Sequence, residues 1–185
     1  MKRTLAILTL ALAALAASAE RFAPAAGSSI TVEGTSTLHE WKMESATING
    51  TVDSDAPAAV VTIPVTSLKS PHAKMDKLMA EALKAKEFPQ IRYELMEANV
   101  PNTPAFNVKT KGRLTIAGVT RELVMDVQGT KSADGRYTLT GTAPVKMTAF
   151  GIKPPTAMLG TIKTGDDVKV TFRWLVQKVT DQKAN

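Results

Sequence analysis

The sequence predicts an all-β domain of eight strands, arranged as a sandwich or a barrel, with one helix after the third strand. One observation is the period-2 alternation near the C-terminus, where Lys169, Thr171 and Arg173 alternate with Val168, Val170, Phe172, Trp174 and Val176. Side chains on a strand point alternately to opposite faces, so this segment has one wet face and one dry face. The other observation is that similar short segments recur along the chain with turn residues between them.

The alternating segments define the strands in chain order. They lie at residues 28–34, 42–53, 58–66, 91–95, 106–116, 123–128, 137–147 and 167–179. The second strand contains Asn49 and Gly50, a signal for a hairpin or a bulge. Tight turns are expected at 117–120 and 132–135, and a loop rich in Gly and Pro at 150–165. Since no linker or internal repeat is visible, we expect one domain.

The period changes between the third and fourth strands. Apolar residues recur at i, i+3, i+4, i+7 and i+8 from Met75 to Leu83, which is typical of an amphipathic helix. Ser70 is the expected N-cap, with Pro71 at the first helical position. The helix is expected to end before Pro89, because the residue preceding a proline is disfavoured in helical geometry.

Residues 1–19 have the pattern of a secretory signal peptide. A basic start precedes an apolar stretch at 5–17, and the small residues Ala17 and Ala19 fit a cleavage site after Ala19. The apolar stretch is short for a membrane span, which takes about 20 residues, and no other segment has the pattern of one. We therefore expect a periplasmic protein whose mature domain is 20–185. The chain has no cysteine, which excludes disulfides, thiol chemistry and a lipid-modified N-terminal cysteine.

The charge pattern argues against nucleic-acid binding. The chain carries 23 basic and 17 acidic residues, but the basic residues are scattered over outward strand positions and the helix. Aromatic residues are only 5% of the chain, and nucleic-acid binding typically shows a concentrated basic patch. A well-solvated surface is the expected outcome.

Catalytic and metal-binding patterns are weak. The chain has two histidines, His39 and His72, and the neighbouring Glu40 would point to the opposite face of a strand from His39. A zinc site at the two histidines lacks any signalled carboxylate ligand, and no glycine-rich phosphate loop precedes a helix. We expect no catalytic residues, no metal and no cofactor, and hence a binding protein. An enzyme that uses His39 with a nearby acid is the last-ranked alternative.

Three stretches together resemble the YceI-like family of lipocalin-like, exported bacterial proteins that bind polyisoprenoids and related amphiphiles. The first is GTSTLHEW at 34–41 followed by ING at 48–50; the second is IPVTSL at 63–68 with MDKL at 75–78 and FPQIRY at 88–93; the third is KGRLTIAGVTR at 111–121 with FGI at 150–152. The resemblance implies an eight-stranded antiparallel lipocalin-like barrel that holds an elongated amphiphile, such as a polyisoprenoid, a quinone or a fatty acid, in an apolar tunnel.

The resemblance assigns the tunnel wall to the positions that alternation places inside, with the helix closing one end. The expected lining residues are Ile63, Val65, Leu78, Met79, Leu83, Ile91, Tyr93, Leu95, Leu114, Ile116, Leu123, Met125, Val127, Leu139, Val145, Met147, Val170, Phe172 and Trp174. His39, Lys74, Lys153 and Lys163 are the expected rim residues that select the head group. The small inward residues Thr110, Gly112, Gly141 and Ala143 either leave room for ligand or mark barrel corners.

Two further hypotheses concern partners. In the alternative to a carrier, the barrel is fully packed and the 150–165 loop, with Met158 and Leu159 exposed, binds another envelope protein. A homodimer is also a hypothesis, since an exposed edge beside the first strand would allow strand pairing between two copies.

Overall fold

Eleven strands and one α-helix organise residues 20–53 and 58–179, the part of the chain that the computed structural model describes. The strands are β1 (Arg21–Pro24), β2 (Ser29–Ser36), β3 (Glu40–Ser45), β4 (Asn49–Asp53), β5 (Ala58–Pro64), β6 (Gln90–Ala98), β7 (Ala105–Ile116), β8 (Val119–Lys131), β9 (Tyr137–Lys146), β10 (Thr156–Ala157) and β11 (Ile162–Lys178); helix α1 spans Ala73–Ala82. The predicted signal peptide at 1–19 lies outside the described residues.

These strands form a closed antiparallel barrel. β1 and β2 both pair with β11, through Phe22 opposite Lys178 and Ile30 opposite Phe172. On their other side, β1 pairs with β4 and β2 pairs with β3. Taking β1–β2 as one interrupted strand and β3–β4 as the next, the ring runs β1/β2, β3/β4, β5, β6, β7, β8, β9, β11 and returns to β1/β2. The expected eight-stranded barrel, with the helix after its third strand, is confirmed.

The alternation in the sequence sorts the two faces of the wall. In β11, Trp174 and Val176 are buried while Lys169 and Arg173 are exposed. Outward bases meet acids on neighbouring strands: Lys169 Nζ lies 2.7 Å from a Glu33 oxygen, and Lys146 Nζ lies 2.7 Å from Asp167 Oδ1. The scattered bases in the sequence are therefore partly explained by cross-strand ion pairs on the outer face, each of which adds little stability.

Several predicted strand boundaries were wrong, including the turn predicted at 117–120, of which 119–120 belong to β8, and the strand predicted at 58–66, which ends at Pro64. β1 was not predicted, and the predicted strand at 42–53 is broken, because Ser45 Oγ accepts a hydrogen bond from Thr47 N (3.0 Å) and contacts Ser67 Oγ (2.7 Å). Part of the predicted 150–165 loop is the short hairpin of β10 and β11. Beside β2, the outer side of β3 pairs with no strand among the described residues and makes only an isolated bridge between Glu44 and Lys69. Strand pairing between two copies at this edge stays a hypothesis.

Helix α1 begins two residues later than predicted. Its N-cap is His72, and Ser70 is not the cap. Ser70 instead donates to Asp76 Oδ1 from both its hydroxyl and its backbone N–H, each at 2.7 Å. These two hydrogen bonds lower the pKa of Asp76, so they fasten the first turn of the helix to the preceding loop through a carboxylate. Within the described part of the chain, no helix has the length and apolar character needed to cross a bilayer.

Strand direction divides the connections between two ends of the barrel. The helix end comprises residues 36–39, 65–89, 117–118 and 147–161. The terminal end comprises residues 20–21, 99–104, 132–136 and 179, and it is where the first and last strands meet. These two names are used below.

Candidate ligand-binding cavity

The barrel encloses a cavity of about 220 Å³. Its wall comes from the inner faces of the strands, and at the helix end it includes Leu68, Met79, Leu83 and Ile152. Tyr93, Thr110 and Trp174 are the lining residues that carry a side-chain N or O atom, and no lining residue is charged. The part of any ligand held here must therefore be apolar.

The structure places all but two of the predicted lining residues at this wall: Ile63, Met79, Leu83, Ile91, Tyr93, Leu95, Leu114, Ile116, Leu123, Met125, Val127, Leu139, Val145, Met147, Val170, Phe172 and Trp174. Val65 and Leu78 are the exceptions. Val65 leaves β5, is buried, and donates its N–H to Pro89 O at 2.9 Å. Leu78 is half-buried on α1, where its neighbour Met79 takes the cavity-facing position. Contact of these residues with a ligand stays a prediction.

Several lining residues were absent from the predicted set: Ile30, Val32, Met43, Ile48, Ala59, Val61, Leu68, Thr110, Ala143, Ile152 and Val168. Most of them lie on strands, in phase with the apolar alternation, so that pattern contains the signal for them. Ile48, Leu68 and Ile152 lie outside the strands and helices. Because their positions depend on how the chain bends after an element ends, periodicity carries no signal for them.

The small inward residues fall into two groups. A Cβ atom on Gly112 would lie 2.4 Å from the Tyr93 hydroxyl oxygen, and one on Gly141 would lie 2.7 Å from the Phe172 ring. These glycines therefore make room for aromatic rings from the neighbouring strands, which was neither of the predicted explanations. Thr110 and Ala143 do line the cavity, as the first explanation expected.

Two polar atoms of the wall have no hydrogen-bond partner among the described residues. They are the hydroxyl of Tyr93 and the indole Nε1 of Trp174, and both are buried. Thr110 is satisfied, because its hydroxyl donates to Met125 O at 3.1 Å. Burial raises the pKa of Tyr93 against the opposing effect of the nearby Thr110 hydroxyl, so the phenol stays neutral across the physiological range. The wall is thus uncharged but not free of hydrogen-bonding capacity.

The cavity is smaller than pockets that enclose drug-sized ligands, which measure about 300–1,000 Å³. Four of its lining residues are methionines: Met43, Met79, Met125 and Met147. Unbranched thioether side chains change rotamer at low cost and fill irregular gaps. The wall is therefore suited to adjust to a longer chain by side-chain rearrangement.

The four predicted rim residues are exposed, and none lines the cavity. His39 lies in the turn between β2 and β3, Lys74 in the first turn of α1, Lys153 ahead of β10, and Lys163 in β11. All four belong to the helix end or border it, and their role in head-group selection stays a prediction. Among residues 20–53 and 58–179, no group of three or more His, Cys, Asp or Glu side chains is arranged to hold a metal ion.

A closed eight-stranded barrel around an apolar cavity, with a helix at one end, places this protein in the class of lipocalin-like β-barrels. The sequence profile of the YceI-like domain matches residues 18–175, and the chain belongs to the YceI-like family. The search of curated proteins returned no match.

Solved structures of the same fold come from several bacteria. A polyisoprenoid-binding domain from Saccharophagus degradans, implicated in plant cell wall breakdown, superposes with a TM-score of 0.72 at 12% identity, over 85% of this chain and 98% of that one. BcnA from Burkholderia cenocepacia gives 0.64 at 18% identity, over 80% and 95%. A YceI protein from Campylobacter jejuni gives 0.53 at 21% identity, over 67% and 73%. At these identities the likeness is one of fold.

Proposed function

We propose that this protein is a periplasmic carrier or scavenger that sequesters the apolar part of an elongated amphiphile, such as a polyisoprenoid, a quinone or a fatty acid, in its barrel. The observation that carries the proposal is the cavity, because a barrel whose inner wall is apolar and uncharged has room for hydrocarbon and little else. Each methylene moved from water into such a wall contributes about 0.8 kcal/mol. A chain of modest length therefore binds without any ionic contact.

Two further observations support a carrier over a packed barrel that only binds a partner. The packed-barrel alternative requires an interior filled by side chains, but the barrel contains a cavity. The domain from Saccharophagus degradans, which shares the fold over most of both chains, binds a polyisoprenoid. For the location, the support is the signal-peptide pattern at residues 1–19 with its cleavage site after Ala19.

Mass spectrometry of an organic extract tests the proposal. The protein is expressed with its own N-terminus and purified from the periplasmic fraction without detergent. We expect a stoichiometric polyisoprenoid, quinone or fatty acid in the extract. The measured mass of the protein should be that of a chain whose first residue is Glu20. Recovery of unprocessed protein from the cytoplasm would contradict the location.

A matched variant separates cavity binding from surface adsorption. Ala143 lies on the cavity wall, so Ala143→Leu reduces the space for ligand. We expect the extract of this variant to be depleted of the compound that the wild type carries. Equal amounts in both extracts, or failure of delipidated wild type to take up any fluorescent fatty acid, would contradict a cavity site.

A further inference from the structure

The three most exposed large apolar side chains among the described residues lie in two adjacent turns at the helix end. Leu159 is fully exposed, and Leu38 and Met158 expose 66% and 67% of their surface. Leu38 lies in the turn between β2 and β3, and Met158 and Leu159 lie in the turn between β10 and β11. Single exposed apolar residues are ordinary on protein surfaces, but a cluster indicates an interaction site.

Hydrogen bonds join these two turns into one surface. Thr37 N donates to Lys163 O at 3.0 Å, and Lys163 N donates to Thr37 Oγ1 at 3.2 Å. The Thr37 hydroxyl also donates to Thr161 O at 3.3 Å. We call residues 36–39 and 153–164 together the apolar tip. Its two turns are held side by side, and each carries exposed apolar side chains.

The backbone of the apolar tip holds these side chains outward at a cost in conformational energy. Met158 and Leu159 have φ of 51° and 55°, in the left-handed region that suits Gly, Asn and Asp. Gly160 follows with φ 88°, and Thr161 N donates to Met158 O at 3.1 Å, as in a turn of type I′. Asn is the residue such a turn favours at position 159. An exposed leucine there serves neither the turn nor the core.

The apolar tip is also basic. Residues 36–39 and 153–164 contain Lys153, Lys163 and His39 but no Asp or Glu. Glu40, exposed directly after His39, borders the tip, whereas Asp166 accepts hydrogen bonds from Thr148 N and Oγ1 at 2.8 and 2.7 Å and Asp167 pairs with Lys146. The two lysines of the tip outnumber this one bordering acid. Exposed aliphatic side chains flanked by lysines match the interface of a bilayer that contains anionic lipid.

We propose that the apolar tip docks the protein on an anionic lipid bilayer, with Leu38, Met158 and Leu159 inserted at the interface. This inference rests on the carrier function proposed above, and it adds which end of the barrel faces the bilayer. Ile152, directly before Lys153, lines the cavity, so a bilayer at the apolar tip lies next to the cavity's helix end. A protein partner is less well matched, because stable interfaces bury about 800 Å² on each side around aromatic or Arg anchors. The apolar tip offers three aliphatic side chains.

Co-sedimentation with vesicles tests the docking. The processed protein, with its N-terminus verified so that residues 5–17 do not contribute, is mixed with phosphatidylglycerol vesicles or with phosphatidylcholine vesicles. We expect binding to phosphatidylglycerol that weakens with added salt and is much weaker for phosphatidylcholine. Leu159→Asn should lower the affinity by about tenfold, because it removes one buried leucine while Asn suits the turn. The control Val100→Asn removes an exposed apolar side chain at the terminal end and should bind as the wild type does.

The docking is overturned if the wild type does not bind phosphatidylglycerol vesicles, a result that would leave a protein partner as the occupant of the apolar tip. It is also overturned if Leu159→Asn binds like the wild type, or if Val100→Asn loses as much affinity as Leu159→Asn. A soluble fluorescent fatty acid separates this failure from failure of the carrier function. Protein that takes up the probe but ignores vesicles overturns the docking alone, whereas vesicle binding without probe uptake overturns the carrier function.

Discussion

The two ends of the barrel differ in how their surfaces are satisfied. At the terminal end, the rings of Phe22 and Tyr137 meet edge to face with centroids 5.5 Å apart, and Lys131 Nζ lies 5.3 Å from the Tyr137 centroid. Neither ring lines the cavity. At the helix end, the cavity reaches Met79 and the apolar tip exposes its leucines. The terminal end thus carries a packed pair of aromatic rings, Phe22 and Tyr137, which we call the aromatic plug and which lies outside the cavity wall, whereas the helix end contributes Met79 to that wall.

The two ends also differ in their turns, as a comparison of the turn at 132–136 with the turn at 158–161 shows. The Asp134 carboxylate accepts hydrogen bonds from Arg136 Nε at 2.8 Å and from the Ser132 hydroxyl, and Arg136 Nη2 lies 2.7 Å from it. Every polar group named in this turn has a partner. The turn at 158–161, by comparison, places leucine where Asn or Gly suits the backbone. One turn is built for local stability, and the other sacrifices some of it.

Removing the aromatic plug gives the largest expected effect on stability. Phe22→Ala should lower the free energy of unfolding by about 2–3 kcal/mol, somewhat less than for a fully buried phenylalanine, because Phe22 is half-buried. Urea denaturation measures this change. Since Phe22 does not line the cavity, affinity for a fluorescent fatty acid should be unchanged under native conditions. A large loss of affinity would show that the terminal end takes part in binding.

Filling the cavity should have the opposite effect, a loss of affinity with little change in stability. Ala143→Leu should lower affinity for the same probe by about tenfold or more, while the unfolding free energy changes by less than about 1.5 kcal/mol, because the added atoms enter an existing void. The matched control is Val176→Leu. Val176 is buried but does not line the cavity, so overpacking there should cost about 1–3 kcal/mol without affecting affinity. Titration and urea denaturation of both variants measure the two quantities, and identical behaviour would remove the distinction between the two ends.

A smaller effect is expected where a buried donor lacks a partner. Tyr93→Phe removes a buried hydroxyl that has no hydrogen-bond partner among the described residues, so it should leave stability unchanged or raise it by about 1 kcal/mol. Tyr137→Phe, which keeps the ring of the plug, is the control and should change stability by less than about 0.5 kcal/mol. Chemical denaturation measures both. If Tyr93→Phe costs more than about 1 kcal/mol, the hydroxyl has a partner in solution.

The smallest effect concerns the pH dependence of the 132–136 turn. Hydrogen bonds from Arg136 and Ser132 lower the pKa of Asp134 to about 2, below the ordinary value of 3.8. A lowered pKa stabilises the fold above the ordinary pKa, and this stabilisation is lost as pH falls from about 4 through 2. The difference in urea midpoint between the wild type and Asp134→Ala should therefore be constant at neutral pH and shrink below pH 4. A difference that persists at pH 2 would contradict this explanation.

Much of the fold can be predicted from residue patterns, because the alternation of apolar and polar residues within a strand shows which of its side chains are buried. Val168 to Val176 alternates in the sequence and in the structure, and the Met75 to Leu83 pattern likewise predicts a helix with Met79 and Leu83 inside. The errors arise where contacts with residues distant in sequence determine the start of a helix or the break in a strand. Ser70 fits an N-cap by its type, but Asp76 engages it six residues away along the chain. The break at Ser45 depends on Ser67, which belongs to another segment.

The candidate site shows the same division. Strand positions such as Leu114 and Val170 are predictable as cavity wall from alternation, whereas Leu68 and Ile152 reach it from segments without a period. The role of the glycines is not predictable without the neighbouring strand, because the Tyr93 ring occupies the space beside Gly112 and the Phe172 ring occupies the space beside Gly141. The apolar tip was visible in part, since Met158 and Leu159 are conspicuous in the sequence. Their proximity to Leu38 depends on the barrel closing.

That closure has a kinetic consequence. The first described strand pairs with the last, so that Phe22 lies opposite Lys178, and β11 bonds to strands from both halves of the chain. Pairings between residues so distant in sequence must overcome most of the loop-closure entropy before they contribute stability, which makes folding slow. A ribosome must also have added residue 178 before the ring can form. Until then the ring stays open, which suits the export proposed above, because a translocation channel for unfolded chains requires an unfolded polypeptide.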